Sequence, residues 1–207
     1  MALVKYNNNS ISAVTSAASI PSGAMTHIKT LTASSSSTLS FVHGSSDVVL
    51  DSTYPIYVFK FINIHPATDS THFQFNMSVD GGSNYNVTKT STMFRAWHKE
   101  DDSATALAYD TGYDLAQSTA FQPLAQEVSN DNDNDCVGTL TIYNPSSTTF
   151  VKHFISTLNM VNAEPITMIM YGAGYGNTTS AVNAVQFKFS SGNIDSGKIK
   201  LYGIKDS

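Results

Sequence analysis

The segment from His43 to Asp47 combines residue types that could catalyse acyl transfer. It places a histidine, two serines and an aspartate within five positions, and these are the components of a base, a nucleophile and an orienting acid. Such groups are normally brought together across a fold, and a serine nucleophile often needs the strained turn of a G-x-S-x-G motif, which this sequence lacks. We therefore interpret the segment as a serine-rich turn and expect no catalytic residue in this protein.

The run from Asn130 to Asp135 alternates asparagine and aspartate, whose side-chain oxygens are ligands that calcium prefers. An EF-hand loop that started at Asp131 would need glycine at its sixth position and glutamate at its twelfth. The sequence has Cys136 and Ile142 at these positions. We interpret the run as a hydrated acidic surface loop, and a weak calcium site near Asp131 is the alternative.

Two histidines, His65 and His72, flank a short segment that also contains Asp69. Zinc needs three or four converging ligands, and neither a cysteine pair nor an H-x-x-x-H spacing supplies them, so we expect no metal site and no cofactor. Cys136 is the single cysteine, which excludes an internal disulfide. The acidic residues beside it are expected to raise the pKa of its thiol and to keep it unreactive.

Aromatic residues are the last group with chemical potential. Trp97 is the only tryptophan, and Tyr85 and Tyr113 lie near it in the sequence, as do Phe94 and Tyr109. Such side chains can stack on a ligand such as a sugar ring or anchor a subunit interface, while a core position is the alternative for Trp97. We therefore predict Trp97, Tyr85 and Tyr113 as ligand or interface residues.

Short strand-like segments carry all of these residues. Apolar residues alternate with polar ones or form short runs, and Ser, Thr, Asn and Gly separate the runs without the β-α alternation of a parallel sheet. We predict an all-β fold, an antiparallel β-sandwich of jelly-roll type with roughly ten strands, and an up-and-down barrel is the alternative. The predicted segments are 38–42, 47–50, 55–65, 73–79, 85–87 with 93–97, 137–143, 150–158, 165–171, 184–189 and 198–204.

Two turns are predicted to pair neighbouring strands directly. Segment 80–84 reads Asp-Gly-Gly-Ser-Asn, which is a strong hairpin signal between 73–79 and the strand that follows. Gly192 and Asn193 are predicted to pair the last two strands in the same way. Between 99 and 126 the alternation weakens, and we expect a long excursion that crosses between the sheets.

Residues 1–27 are rich in Asn, Ser and Ala, and their apolar residues are sparse. We expect an extended N-terminal arm that contacts a neighbouring subunit, with a frayed terminus as the alternative, followed by one domain over 28–207. The net charge of -5 argues against nucleic-acid binding. The sequence shows no signal peptide and no span of about 18 apolar residues, so we expect a chain that is neither secreted by that route nor inserted in a membrane.

Four segments resemble structural proteins of marine tailed bacteriophages, including those that infect cyanobacteria. They are PIYVFKFINIHP (55–66), DGGSNY (80–85), YNPSST (143–148) and SGNIDSGKIKLYG (191–203). The resemblance covers most of 28–204. It implies a virion component with a jelly-roll-like β fold, displayed on the capsid or built into a tail appendage, and it carries no catalytic motif.

We therefore expect a non-enzymatic virion protein that is assembled in the host cytoplasm and contacts other virion proteins. The scarcity of charged residues and the lack of a disulfide favour a homo-oligomer, with a trimer expected first and a dimer second. The alternative is a receptor-binding module of a tail fibre that recognises a host-surface glycan. A hydrolase has the least support, because no nucleophile and base and no convergent pair of acids can be identified.

Overall fold

A computed structural model describes residues 24–206, and every regular element in this range is a β-strand. Alternation of buried and exposed side chains along most strands explains why they form, since each strand has one face toward the core. The strands are β1 (Met25–Thr32), β2 (Leu39–Val42), β3 (Ile56–Pro66), β4 (Thr71–Ser78), β5 (Lys89–Lys99), β6 (Thr105–Tyr109), β7 (Gln122–Val128), β8 (Cys136–Tyr143), β9 (Lys152–Val161), β10 (Ile166–Gly176), β11 (Ala184–Phe189) and β12 (Ile194–Ile204).

The strands form two antiparallel sheets. The larger sheet has eight strands in the order β1-β12-β3-β8-β9-β10-β5-β6, and the smaller has four in the order β2-β11-β4-β7. This arrangement confirms the predicted all-β antiparallel sandwich. In residues 24–206, no helix is long and apolar enough to cross a membrane.

Phe187 of β11 is at the centre of the core between the sheets. Its ring lies 5.1 Å from that of Phe59 and 5.3 Å from that of Phe61, both on β3 of the larger sheet. It also stacks on Phe73 of β4 at 5.9 Å. Burial of one such side chain contributes about 1.5–3 kcal/mol, and each aromatic pair adds roughly 0.5–1.5 kcal/mol, so this cluster joins the two sheets strongly.

Strand β10 lets its neighbours pack closely because its inward positions change from methionine to glycine. Met168 and Met170 are buried, and Gly172, Gly174 and Gly176 follow on the same face. A Cβ atom at Gly174 would lie 2.5 Å from the carbonyl oxygen of Thr90 and 2.7 Å from the ring of Phe154. Glycine is therefore required at this position by the closeness of the adjacent strands.

The predicted hairpin after β4 is wrong. Asp80 does form a turn, since its Oδ1 accepts hydrogen bonds from the Ser78 hydroxyl at 2.6 Å and from the Asn84 N–H at 2.9 Å. The strand that follows, β5, nevertheless belongs to the other sheet, and β4 pairs with β11 and β7. Turn residues fix a local reversal of the chain, but they do not select the partner strand.

The predicted pairing of the last two strands is wrong for the same reason. The turn at Gly192, whose φ is 70°, carries the chain from β11 in the smaller sheet to β12 in the larger one. Segment 47–50 is not a strand, although Val48 and Leu50 are buried. The excursion over 99–126 contains β6 and the beginning of β7.

Most of the predicted N-terminal arm, residues 1–23, lies outside the described residues. Within them, Met25 to His27 do not belong to an arm. They begin β1 and are opposite Ile204 to Tyr202 of β12. The larger sheet therefore includes residues that the sequence assigned to the arm, because a strand at the edge of a sheet needs fewer apolar residues than a core strand.

Candidate functional site

Large apolar side chains cover the outward face of the larger sheet on strands β5, β6, β9 and β10. Phe94 of β5 is flanked in register by Tyr109 of β6 and Tyr171 of β10. The rings of Phe94 and Tyr171 stack at 4.9 Å with an interplanar angle of 16°. Leu107 is 74% exposed and Ile155 is 51% exposed. We call these five residues the apolar outer face.

The apolar outer face departs from the usual pattern of a sheet with one side in water. On β5, Met93 faces inward and is fully buried, so the next residue, Phe94, faces outward. Outward positions in such a sheet are normally polar. A shallow groove of about 520 Å³ extends the face past Ile155, and it is lined by small side chains such as Ala173 together with Tyr175 and His153.

Trp97 lies on the opposite side of the same strand. It packs partly buried against the core and lines a separate pocket of about 300 Å³ between β5, the end of β7 and the beginning of β10. The polar side chains around this pocket are Arg95, Lys99, Glu127, Asn162 and Glu164.

Ion pairs hold the two basic groups of the Trp97 pocket. The Nη1 atom of Arg95 lies 3.3 Å from Oδ2 of Asp110, which is buried, and Nζ of Lys99 lies 3.3 Å from Oε2 of Glu164. Asn162 is almost fully buried, and its Oδ1 accepts a hydrogen bond from the Glu164 N–H at 2.9 Å. The pocket thus combines one indole with oriented polar groups of both charges.

Glu127 contributes an unusual backbone conformation beside this pocket. Its φ of 50° lies in the left-handed region, within the stretch where the pairing of β7 with β4 shifts register. Its N–H donates to Nδ1 of His72 at 3.1 Å. Strain of this kind in a non-glycine residue costs on the order of 1–3 kcal/mol.

Tyr113 approaches the same region from the loop after β6. Its ring is edge-on to that of His72 at 5.0 Å. Burial, and then the charges of Glu127 and Asp110, raise the pKa of the Tyr113 phenol. Burial also lowers the pKa of His72, against the opposing effect of Glu127, so this imidazole is favoured in its neutral form.

The three aromatic residues predicted from the sequence do not form one platform. Tyr113 contacts His72 at the beginning of β4, whereas Tyr85 lies in the loop beyond Ser78 at the end of that strand. Asn76, whose side chain donates to the Tyr85 carbonyl, lies about 13 Å along β4 from His72 at ~3.3 Å per residue. The sequence analysis did not identify Leu107, Ile155 and Tyr171 as surface residues of interest. Adjacent apolar residues such as Met170 and Tyr171 could have indicated them, because neighbouring residues of a strand point to opposite faces and both faces are then apolar.

The acidic loop is brought to His65 and not to His72. The Nε2 atom of His65 lies 3.2 Å from the carbonyl oxygen of Asp131, and its Nδ1 lies 3.8 Å from Oδ2 of Asp195. Asn63 donates a side-chain hydrogen bond to Asp135 on the other side of the loop. In residues 24–206, no three His, Cys, Asp or Glu side chains come together in a group that could hold a metal ion.

The segment that resembled a triad has a structural role in the turn. Nδ1 of His43 accepts a hydrogen bond from the Leu50 N–H at 3.2 Å, and the Ser45 carbonyl accepts one from the Val48 N–H at 3.0 Å. Cys136 is fully buried, and burial raises the pKa of its thiol, with a smaller effect of Asp135; the direction is the expected one, but the acidic neighbour is not the main cause.

Comparison with known proteins gives no relative: no family model, no curated protein and no solved structure matches this chain. The resemblance to phage structural proteins therefore stays a prediction.

Proposed function

We propose that this protein is a non-enzymatic structural component of a bacteriophage particle, displayed on the capsid surface or built into a tail appendage, and that it acts by assembly. The observation that carries the proposal is the apolar outer face. Contiguous apolar surface that includes stacked Phe94 and Tyr171 is costly in water, and on soluble proteins it marks sites of protein association. The partners proposed are copies of this chain, as a trimer or a dimer, and other virion proteins.

We also infer that the sandwich is of the jelly-roll type, and the nesting of its strand pairs supports this. β1 pairs with β12, β2 with β11, β3 with β8 and β4 with β7, as in one long hairpin rolled into two layers. Eight strands in two Greek keys define a jelly roll, a fold used by viral capsid proteins and by lectins.

Two further hairpins are inserted into this pattern. β5 and β6 lie in sequence between β4 and β7, and β9 and β10 lie between β8 and β11. All four strands extend the larger sheet beyond β8, which makes it twice as wide as the smaller sheet of four strands. The apolar outer face lies entirely on these inserted strands, so the additions to the basic fold are the part that we propose for assembly.

Two measurements test the proposal. In analytical ultracentrifugation, the wild-type protein should form concentration-dependent oligomers, and the Phe94→Ser, Tyr171→Ser double variant should associate more weakly. Thr157→Ser, opposite Tyr171 on β9, is the matched control and should associate like the wild type. Peptides of this chain should also be found by mass spectrometry in purified particles of the phage that encodes it. Association of the double variant that is identical to that of the wild type contradicts the role of the face, and particles without the chain contradict the virion role.

A receptor-binding role is the second candidate, and the Trp97 pocket is the observation that favours it. An indole beside fixed polar side chains suits a sugar, whose C–H face can stack on the ring while its hydroxyls bind Asn162 and Glu127. Because Trp97 is the only tryptophan, its fluorescence reports occupancy of the pocket directly. Saturable quenching by a host polysaccharide, weakened by Asn162→Ala, would support this role. A flat titration for every polysaccharide of the host surface excludes it.

A further inference from the structure

One of the four sheet edges lacks the features that normally prevent strands from pairing between molecules. Charged residues, prolines, bulges and very short strands protect exposed edges. β1 carries Lys29 and a bulge, β2 has only four residues, and β7 carries Pro123 and shifts register twice. β6 has the sequence Thr-Ala-Leu-Ala-Tyr, with neither charge nor proline, and it pairs in regular register with β5.

The register of β6 shows which of its backbone groups are free. Two hydrogen bonds between β5 and the residues that flank β6 show which residue pairs are bonded. The Lys99 N–H donates to the Ala104 carbonyl, and the Asp110 N–H donates to the Met93 carbonyl. In an antiparallel pair, every second residue exchanges hydrogen bonds with its partner, so Ala106 and Ala108 bond to β5. The backbone groups of Thr105, Leu107 and Tyr109 therefore point away from the sheet, and they have no partner among residues 24–206.

We propose that β6 pairs in antiparallel fashion with β6 of a second copy of this chain, about a two-fold axis at Leu107. Leu107 then exchanges both backbone hydrogen bonds with its own symmetry mate, and Thr105 pairs with Tyr109 of the other copy. The free donors and acceptors of the two strands match at each of these positions, which is the self-complementarity that a two-fold contact needs. The backbone of any exposed strand offers the same alternation, so the side chains favour a second copy: pairing places the exposed Leu107 of each copy beside that of the other.

This pairing specifies how the apolar outer face is used, and so it rests on the proposed function. A two-fold axis perpendicular to the sheet makes the two larger sheets continuous and places their outward faces on the same side. Leu107 and Tyr109, which are 74% and 53% exposed, lie on that face beside the axis. The stacked Phe94 and Tyr171 of each copy would then form one apolar surface on the pair of molecules.

Charge gives the pairing a distinct dependence on salt. Asp101 and Asp102 lie before β6, and Asp114 lies shortly after it. Antiparallel pairing brings the acidic residues before one strand near the acidic residue after the other. This repulsion is between exposed groups and is screened by salt, so raising the ionic strength should strengthen association.

Cysteine cross-linking tests the geometry directly. Residues that exchange hydrogen bonds across an antiparallel pair have Cα atoms about 5.5 Å apart, which suits a disulfide. Leu107→Cys should therefore form a covalent dimer under mild oxidation. Thr105→Cys is the matched control: it is exposed on the same face, but it lies about 13 Å along the strand from its symmetry mate at ~3.3 Å per residue. Equal cross-linking of both variants, or none at Leu107, overturns the proposal.

A proline variant tests the backbone hydrogen bonds without disturbing the fold. Leu107→Pro removes an N–H that β5 does not use, and proline is tolerated on edge strands at such positions. It should weaken dimerisation in analytical ultracentrifugation by at least about tenfold, since it removes a hydrogen bond from each copy. Leu107→Thr keeps the N–H and should have a smaller effect. Equal effects of the two variants contradict backbone pairing.

The two proposals fail in different ways. If Leu107→Pro associates like the wild type while the Phe94→Ser, Tyr171→Ser variant associates more weakly, the apolar outer face assembles without β6 pairing, and the pairing alone is refuted. If the β6 dimer forms but the chain is absent from purified particles, the virion role is refuted and the pairing stands. Circular dichroism of each variant establishes that it is folded.

Discussion

Lys89 of β5 and Lys152 of β9 lie directly opposite the same residue, Gly176 of β10, one on each side of it. Both side chains are fully buried, and no carboxylate in residues 24–206 forms an ion pair with either of them. The Nζ atom of Lys89 donates to Oδ1 of Asn76 at 2.6 Å and to the carbonyl of Val87 at 2.7 Å.

The Lys152 amine donates hydrogen bonds to backbone carbonyls alone. Its Nζ donates to the carbonyl oxygens of Ser147 and Phe150, each at 2.6 Å, and of Thr178 at 3.3 Å. It thereby ties the loop before β9 to the segment after β10. Neutral acceptors offset only part of the cost of burying a charge, so these two amines make the folded state sensitive to proton binding.

The first prediction concerns pH. Burial lowers the pKa of Lys89 from 10.5 to about 7. Between these values the unfolded chain binds more protons than the folded one, so the free energy of unfolding should increase with pH, by at most about 1.4 kcal/mol per pH unit. Urea denaturation of the wild type and of Lys89→Met from pH 7 to 9.5 measures this. The wild type should gain stability relative to the variant, and parallel curves would contradict the prediction.

The second prediction concerns the core. Phe187→Ala should lower the free energy of unfolding by about 3–5 kcal/mol, because it leaves a cavity between the sheets. Phe94→Ala is the matched control, since its side chain is 43% exposed and its loss leaves no cavity. Urea denaturation should give a much smaller change for the control. Similar losses for both variants would show that the sheets are not joined through Phe187.

The third prediction concerns the closeness of β5, β9 and β10. Gly174→Ala should destabilise the protein by roughly 1–3 kcal/mol, because the new Cβ would meet backbone atoms of Thr90 and Ser91 that cannot move without separating the strands. Gly112→Ala is the control, since its Cβ would lie 3.7 Å from Oδ1 of Asp110, an ordinary contact. Thermal unfolding measures the melting temperatures of both variants. An unchanged melting temperature for Gly174→Ala contradicts the prediction.

The fourth prediction separates structure from catalysis in the segment 43–47. His43→Ala should cost about 1–3 kcal/mol of stability, because it leaves the Leu50 N–H without its acceptor. Ser45→Ala should cost little, because the hydrogen bonds of Ser45 in the turn use its backbone N–H and carbonyl. The triple variant that also changes Asp47 should lose no hydrolytic activity. Any hydrolysis of a generic ester that disappears in it would refute our interpretation.

The fifth prediction concerns calcium. Ile142, which takes the place of the bidentate EF-hand glutamate, is apolar and buried, and Cys136 takes the place of the glycine that allows the sharp turn, so the acidic loop has neither feature of a tight calcium site. Chelation should therefore leave the melting temperature nearly unchanged. A large decrease that calcium reverses would establish a structural ion near Asp131.

Several features of the fold were predictable because they depend on neighbours in the sequence. The alternation of Phe73, Phe75 and Met77 predicted a strand, and all three are fully buried on one face of β4. The turn at Asp80 was also predictable, since its hydrogen bonds are to residues within four positions of it. Period-2 burial and tight turns are local properties, so a single sequence reveals them.

The partners of the strands, and therefore the candidate surfaces, were decided by the tertiary structure. Nothing near Gly192 indicates that β11 and β12 belong to different sheets, and nothing near Phe94 or Trp97 indicates which of the two faces outward. Lys89 and Lys152 find part of their hydrogen-bond acceptors in distant segments, which supply Asn76 and the carbonyl of Thr178. Each of these outcomes depends on contacts between residues far apart in the chain, whose free energies are settled by packing of the whole sandwich and cannot be read from local pattern.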